Sequence, residues 1–339
     1  MRIYLHGNDN IGWSIDSDRM HTERFLRELG HTITNNFVRA EVVHSVWWNQ
    51  LLTSRNFFLR FKRKIIATAT NKIDPDNRDY LKAKKWVALW IAPSKRQFDM
   101  FKTDGAHVAY QPFYVDEKVF RKFDKSRKEI ATLLGIDFGL LKDKFLIGSF
   151  QRDTLGADLK SPKWQKGPEL LVEILSSLPD KDRWVLVLAG PRRHFIINEC
   201  EKNGIPYYYY GIKPTPGVDD IGVNTLDHEK MSLLYNLIDT YLVTSKSEGG
   251  PKAIHEACFC KTLIFSTDVG LAPDILDGRC IYNNVGTIKA YLLQLINAGN
   301  KEYFNNLIIN NFNNANSICS YEIMKERWKQ IYDQIQSIR

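Results

Sequence analysis

The chain has 339 residues, 44% of them hydrophobic and 25% charged, the balance of a globular protein of about two domains, which excludes disorder, collagen and coiled coil. Lys and Arg number 47 against 39 Asp and Glu, a net charge of +8, and no apolar run approaches the roughly 18 residues that span a bilayer. The excess is uneven: through Asp116 there are 18 basic and 12 acidic residues, and afterwards 29 and 27. Trp13, Trp47, Trp48, Trp86 and Trp90 lie in that same first third, so the N-terminal part points to an anionic, bulky or interfacial partner.

The N-terminus, MRIYLHG, has no apolar signal core and reads as a first strand. Further strands are predicted at Val42–Trp47, Ile65–Ala69, Val87–Ala92 and Val108–Tyr110, with helices at Asp18–Leu29 and, after the capping residue Ser94, Lys95–Thr103. Gln111–Lys128, with Pro112 and a cluster of charges, reads as a hinge. The second half repeats the scheme: strands at Phe145–Phe150, Trp184–Ala189, Pro206–Tyr210, Thr240–Thr244 and Leu263–Ser266, helices at Pro168–Leu178, His228–Leu237 and Pro251–Phe259. Such alternation predicts an α/β protein of two Rossmann-like domains with parallel sheets. The boundaries expected are 1–116 together with a C-terminal helix at 321–339, and 117–320. In that last helix Ile323, Trp328, Ile331 and Ile335 recur at helical spacing. The loop Lys213–Asp227 is long enough to move, and Asp219-Asp220 within it is expected to be solvated. Cys200, Cys258, Cys260, Cys280 and Cys319 form no paired ladder; the odd count favours free thiols in a reducing compartment, hence a cytoplasmic protein.

The most informative segment is TYLVTSKSEGGPKAIHEACFCKTLIFSTD, Thr240–Asp268. A strand runs into Glu248-Gly249-Gly250-Pro251 and then a helix carrying Glu256. Pro suits a first helical turn, the glycines let backbone amides approach a ligand, and the helix start is an anion site. Carboxylates there suit hydroxyl groups, so the segment reads as a place for a sugar and a nucleotide. The plainer alternative is a Lys252–Glu256 pair on the helix and a solvated Glu248. A second segment places Arg152 at a strand end and Lys166-Gly167 at a helix start, two cations suited to a diphosphate above the carboxyl ends of a sheet. Gly190-Pro191 follows a third strand, where glycine permits close approach.

These motifs resemble the retaining glycosyltransferases of the GT-B fold, family 4. Glu248 and Glu256 are separated by seven residues as in that family, the Phe150–Gly167 stretch resembles its Arg…Lys-Gly element, and Leu234-Tyr235…Asp239 through Ser245…Gly249 resembles its helix–strand–loop. The resemblance covers Trp86–Gly278; over the first 85 residues it is topological only. It implies two Rossmann-like domains facing a cleft, with the C-terminal helix returning to the N-terminal domain. It further implies that Arg152 and Lys166 neutralise the donor diphosphate, that Glu248 touches hydroxyls of the transferred sugar, that Gly249, Gly250 and Pro251 support it, and that Glu256 holds the ribose. Retention of configuration and no divalent metal or other cofactor are implied. In the family a histidine follows an N-terminal strand; His44 is the counterpart, with burial within the strand as the alternative. Gly12 matches the position of a glycine-rich loop facing the donor, or a plain turn.

On the acceptor side, Arg55–Lys64 (RNFFLRFKRK) interleaves Phe57, Phe58 and Phe61 with Arg60, Lys62, Arg63 and Lys64. As a helix it could lie on an anionic membrane surface, follow a nucleic-acid backbone, or simply bury its aromatics. Trp47 and Trp48 could stack on a sugar. The expected function is therefore transfer of a hexose-type sugar from a nucleotide-diphosphate sugar to a surface or lipid-linked glycan, with peripheral membrane contact. Alternatives are a DNA or nucleotide acceptor, a nucleotide-sugar epimerase of the same fold, and a non-catalytic sugar- or nucleic-acid-binding protein.

Overall fold

The computed structural model describes residues 1–9, 14–62, 64–298 and 301–338. They form two compact units: Met1–Tyr114 with Glu248–Lys252 and Ser317–Arg339, and Val115–Ser247 with Ala253–Asn316.

The first unit holds β1 (Arg2–His6), β2 (Thr32–Ile33), β3 (Val42–Ser45), β4 (Ile65–Thr68), β5 (Leu89–Ala92) and β6 (Val108–Tyr110), a sheet of order β2-β1-β3-β4-β5-β6. Every pairing is parallel. β3, β4 and β5 are buried along their whole length; β4 and β5 are apolar but for Thr68, as strands covered on both faces tend to be, while β3 carries the buried polar residues His44 and Ser45. Helices α1 (Ser14–Glu28), α2 (Arg78–Ala83) and α3 (Lys95–Thr103) belong here. The start of α3 is set by Ser94, whose hydroxyl accepts from the Gln97 amide at 3.3 Å.

The C-terminal helix Tyr321–Ser337 also packs on this sheet. Met324, Trp328, Ile331, Tyr332 and Ile335 join Ile3, Val42, Ile66 and Leu89 in one core cluster, each large apolar side chain contributing about 1.5–3 kcal/mol by its burial. Ile323, expected on the buried stripe, is 39% exposed, and Met324 takes the inward position.

The second unit holds β7 (Phe145–Ser149), β8 (Trp184–Ala189), β9 (Tyr207–Tyr210), β10 (Thr240–Val243) and β11 (Leu263–Ser266), in the order β11-β10-β7-β8-β9, again all parallel. Its helices are α4 (Arg127–Leu133), α5 (Pro168–Ser176), α6 (His194–Asn203), α7 (Ile221–Asn224), α8 (His228–Leu237), α9 (Lys252–Phe259, whose first residue is counted with the first unit), α10 (Ala272–Ile275), α11 (Val285–Ala298) and α12 (Lys301–Cys319). In each sheet the chain order reverses once: between β1 and β3 in the first, between β7 and β10 in the second. In open α/β sheets the crevice beyond the strand ends at such a reversal is where ligands bind. Both units are Rossmann-like. All five cysteines are buried, and none is in a disulfide.

Candidate functional site

In the second unit the reversal point is built by polar side chains that follow β7 and β10. Gln151, just beyond β7, donates through Nε2 to the Lys166 carbonyl at 3.2 Å and to Thr244 Oγ1 at 3.3 Å. Thr244 Oγ1 in turn donates to the Lys166 carbonyl at 3.0 Å, and Ser245 Oγ to Gln151 Oε1 at 3.2 Å. The amides of Lys246 and Ser247 both donate to the Gln165 carbonyl, at 2.8 and 3.2 Å. Arg152 and Lys166, fourteen positions apart in the chain, are thus held at one sheet edge, because Gln151 ties the backbone beside one to the backbone of the other. Both side chains are half-buried. Gly167 has φ +55 and sits against the Thr244 carbonyl, so a Cβ there would meet both steric and conformational penalties. Pro168 then opens α5.

Behind Arg152 lies a buried ion pair. Asp153 Oδ2 meets Arg193 Nε at 2.9 Å, both side chains being almost wholly out of solvent, and Asp153 Oδ1 accepts from the Phe195 and Ile196 amides at 3.1 and 3.4 Å. Burial pushes the Asp153 carboxyl up to about 7, while the Arg193 guanidinium acts the other way. Gly190, at φ +81, stands 3.3 Å (measured to an added Cβ) from the Phe150 carbonyl, and its own carbonyl accepts from the Tyr209 hydroxyl at 2.9 Å. Asp220 was expected in solvent and is instead 5% exposed. It accepts from the Arg192 amide at 2.8 Å and Asn224 Nδ2 at 2.7 Å, which closes the loop onto the sheet edge; Asp219 stays exposed and pairs with the Arg192 guanidinium at 2.6 Å.

Glu256, one turn into α9, accepts a 2.8 Å hydrogen bond from the Tyr235 hydroxyl. Burial, followed by the Glu256 charge, holds Tyr235 well above the ordinary phenol value, so it remains a donor and orients the carboxylate. The Lys252 ammonium, which the plainer alternative assigned to Glu256, reaches Asp18 at 2.5 Å. Asp239, matched to the same motif, pairs with Arg127 and accepts from the Leu146 amide at 2.7 Å, at the amino ends of the strands. Its part is structural.

Glu248-Gly249-Gly250-Pro251 lies with the first unit. A Cβ on Gly249 would come within 3.0 Å of the Thr70 carbonyl, and one on Gly250 within 3.1 Å of the Phe113 ring, so close packing is itself a reason for glycine at both. Pro251 stands just before α9 rather than within its first turn.

Several N-terminal expectations are corrected. His44 is fully buried on β3, its Nδ1 2.9 Å from the Tyr332 hydroxyl and its Nε2 3.1 Å from Thr68 Oγ1. Burial lowers it to about 3. A neutral ring with both nitrogens engaged presents nothing to a sugar, which is the buried-strand alternative. Trp48 is 1% exposed and donates to Asn71 Oδ1 at 2.9 Å, so it offers no stacking face; Trp47 is half-buried. Ser54–Phe61 forms a 3-10 helix, not an α-helix. Phe57 and Phe61 are 55% and 79% exposed, while Phe58 packs on Phe37. The cations beside them are largely engaged: Arg60 donates to the Leu51 carbonyl and lies over the Trp86 ring, Lys62 donates to the carbonyls of Val38 and Ala40, and Lys64 to that of Gln336. Gly12 and Arg63 lie outside the described residues. Among the described residues no group of three or more His, Cys, Asp or Glu could hold a metal ion, and no helix is long and apolar enough to cross a membrane.

Comparison with solved structures gives matches over essentially the whole chain. HepE of Anabaena, crystallised with UDP and glucose, superposes with a TM-score of 0.70 at 12% identity, covering 99% of each chain. The fold is GT-B. A glycosyltransferase from Rickettsia africae shares this GT-B architecture with a TM-score of 0.67 at 14% identity over 100% of this chain and 99% of that one. Sucrose-phosphate synthase from Thermosynechococcus elongatus matches at 0.66 and 12%, over 96% of this chain and 79% of its own. No protein-family model matches the sequence, and no curated protein sequence matches it.

Proposed function

We propose that the protein is a glycosyltransferase that moves a sugar from a nucleotide-diphosphate donor to an acceptor. The observation that carries this reading is the Gln151–Thr244–Lys166 network, which holds two cations at the reversal point of the second sheet. It supports the reading because HepE, which has the same fold at low identity, was crystallised with UDP-glucose. In this reading Arg152 and Lys166 take up the negative charge that grows on the diphosphate as the glycosidic bond breaks, a stabilisation that strengthens along the reaction coordinate. Glu256, oriented by Tyr235, accepts hydrogen bonds from ribose hydroxyls, and Glu248 from hydroxyls of the transferred sugar. Family-4-like retention of configuration, a hexose-type sugar and independence of divalent metal rest on the motif resemblance. Exposed Phe57 and Phe61 support an amphiphilic, surface or lipid-linked acceptor.

A screen of UDP-, GDP-, ADP- and dTDP-sugars by thermal shift tests the assignment: one class should raise the melting temperature, and a flat response to all four would overturn it. With the stabilising donor in hand, Lys166→Ala and Glu248→Ala should each abolish transfer while leaving the far-UV spectrum unchanged. Wild-type rates in either variant would remove that residue from the mechanism.

A further inference from the structure

At the reversal point of the first sheet, between β1 and β3, lies a second polar cavity of about 330 Å³, at the small end of ligand-pocket sizes. Tyr4 and His6 alternate onto one face of β1, their rings stacked at 6.2 Å and 26°. His6 bonds Ser45 Oγ at 3.3 Å across the reversal, and burial holds it below its ordinary value, so the ring is neutral at neutral pH. Arg19 reaches in from α1; its Nη2 donates to the Leu5 carbonyl at 3.3 Å and its Nε is buried with no hydrogen-bond partner. Gln50 is fixed by donating to the Asn8 carbonyl, and Asn56 by donating to the Gln50 carbonyl, both at 2.9 Å. The Tyr4 hydroxyl and the Asn35 side chain make no hydrogen bond among the described residues and border the same space. Among the described lining residues Arg19 carries the one charge; Arg19 and Asn8 also line the adjoining groove along α1, where Asp16 and Glu23 stand.

We propose that this cavity binds a monosaccharide-sized polyol bearing one negative charge, carboxylate or phosphate, with Arg19 meeting the anion and the Tyr4 hydroxyl and Asn35 side chain meeting hydroxyls. A neutral sugar would leave the Arg19 donors unanswered, and a free anion would leave the Tyr4 hydroxyl and Asn35 side chain so, which is why the class is both charged and hydroxylated. In a glycosyltransferase this makes an acidic sugar the acceptor group, a step that rests on the function proposed above.

The test is ligand-observed NMR titration of the full chain with glucuronate, glucose 6-phosphate, glucose and inorganic phosphate. One or both acidic sugars should bind about tenfold or more tightly than glucose, and inorganic phosphate more weakly than either. Which of the two acidic sugars leads identifies carboxylate or phosphate as the natural group. Arg19→Gln should erase the preference for the charged sugars, and exposed Asn35→Ala should weaken both without disturbing the fold. Equal affinity for glucose, or unchanged titrations in both variants, would overturn the proposal. Nucleotide-sugar binding, read separately by thermal shift, is expected to be unaltered in both variants. In the wild type, absence of acidic-sugar binding with donor binding intact counts against this cavity, and absence of donor binding counts against the transferase reading.

Discussion

Buried neutral His44 ties the stability of the first unit to pH. Its folded value is about 3 against an ordinary 6.5. A lowered value means that the unfolded chain binds the proton first. The stabilisation is therefore complete above about pH 6.5 and is lost as the pH falls from there toward about 3. At about pH 5 the loss from this one group is about 2 kcal/mol, rising toward about 5 kcal/mol near the folded value. Hydrogen exchange of β3 and C-terminal-helix peptides in urea, read at several pH values, reports this locally, which matters because a two-unit chain has no single unfolding transition. His44→Gln is expected to be less stable at neutral pH by about 1–3 kcal/mol, since Tyr332 and Thr68 lose their shared partner, yet to be flatter between about pH 7 and pH 5 by the 2 kcal/mol above. Parallel pH profiles for the wild type and the variant would refute the argument, because the acid sensitivity would then belong to other groups.

Removing one member of the buried pair, by Arg193→Met, should destabilise the second unit by about 3–5 kcal/mol, and adding Asp153→Asn should restore part of it, as read by urea midpoints. Gly167→Ala should cost about 1–3 kcal/mol through the positive φ and the Thr244 carbonyl, and should weaken binding of whichever nucleotide sugar the thermal-shift screen selects. Burial pushes Cys200 and Cys260 up to about 12 and Cys280 to about 11, so thiol labelling at neutral pH should be negligible in the native protein and complete in urea; one rapidly labelled cysteine in the native state would contradict this burial. Tyr235→Phe should weaken donor binding several-fold by releasing the Glu256 carboxylate, with Glu256→Gln weakening it more, both measured by titration with that donor.

The strands were legible because parallel strands covered on both faces favour short, largely apolar runs, and Val108–Tyr110, Trp184–Ala189 and Leu263–Ser266 match their predicted bounds. Lys95–Thr103 was equally legible, since Ser94 caps it locally. The glycines and cations of the second unit also stood out, as chemistry bound to strand ends. What lay beyond reach was the partner of each side chain. His44 and Trp48 carry groups that suit a sugar, yet β3 and the segment after it turn them toward Tyr332, Thr68 and Asn71, residues distant in the chain. Asp220 carries a charge that sequence assigns to water, and Asn224 and the Arg192 amide take it inward. Met324 replaces Ile323 because a helix shows its apolar stripe to whatever sheet it meets, and one residue is a turn of about 100°. The polar cavity beside Arg19 draws on β1, α1 and the segments after β2 and β3. Local pattern determined the elements and their order, since hydrophobic period and capping act within a few residues. Contacts between elements far apart in the chain decided which polar groups are spent on the fold and which are left to meet a ligand.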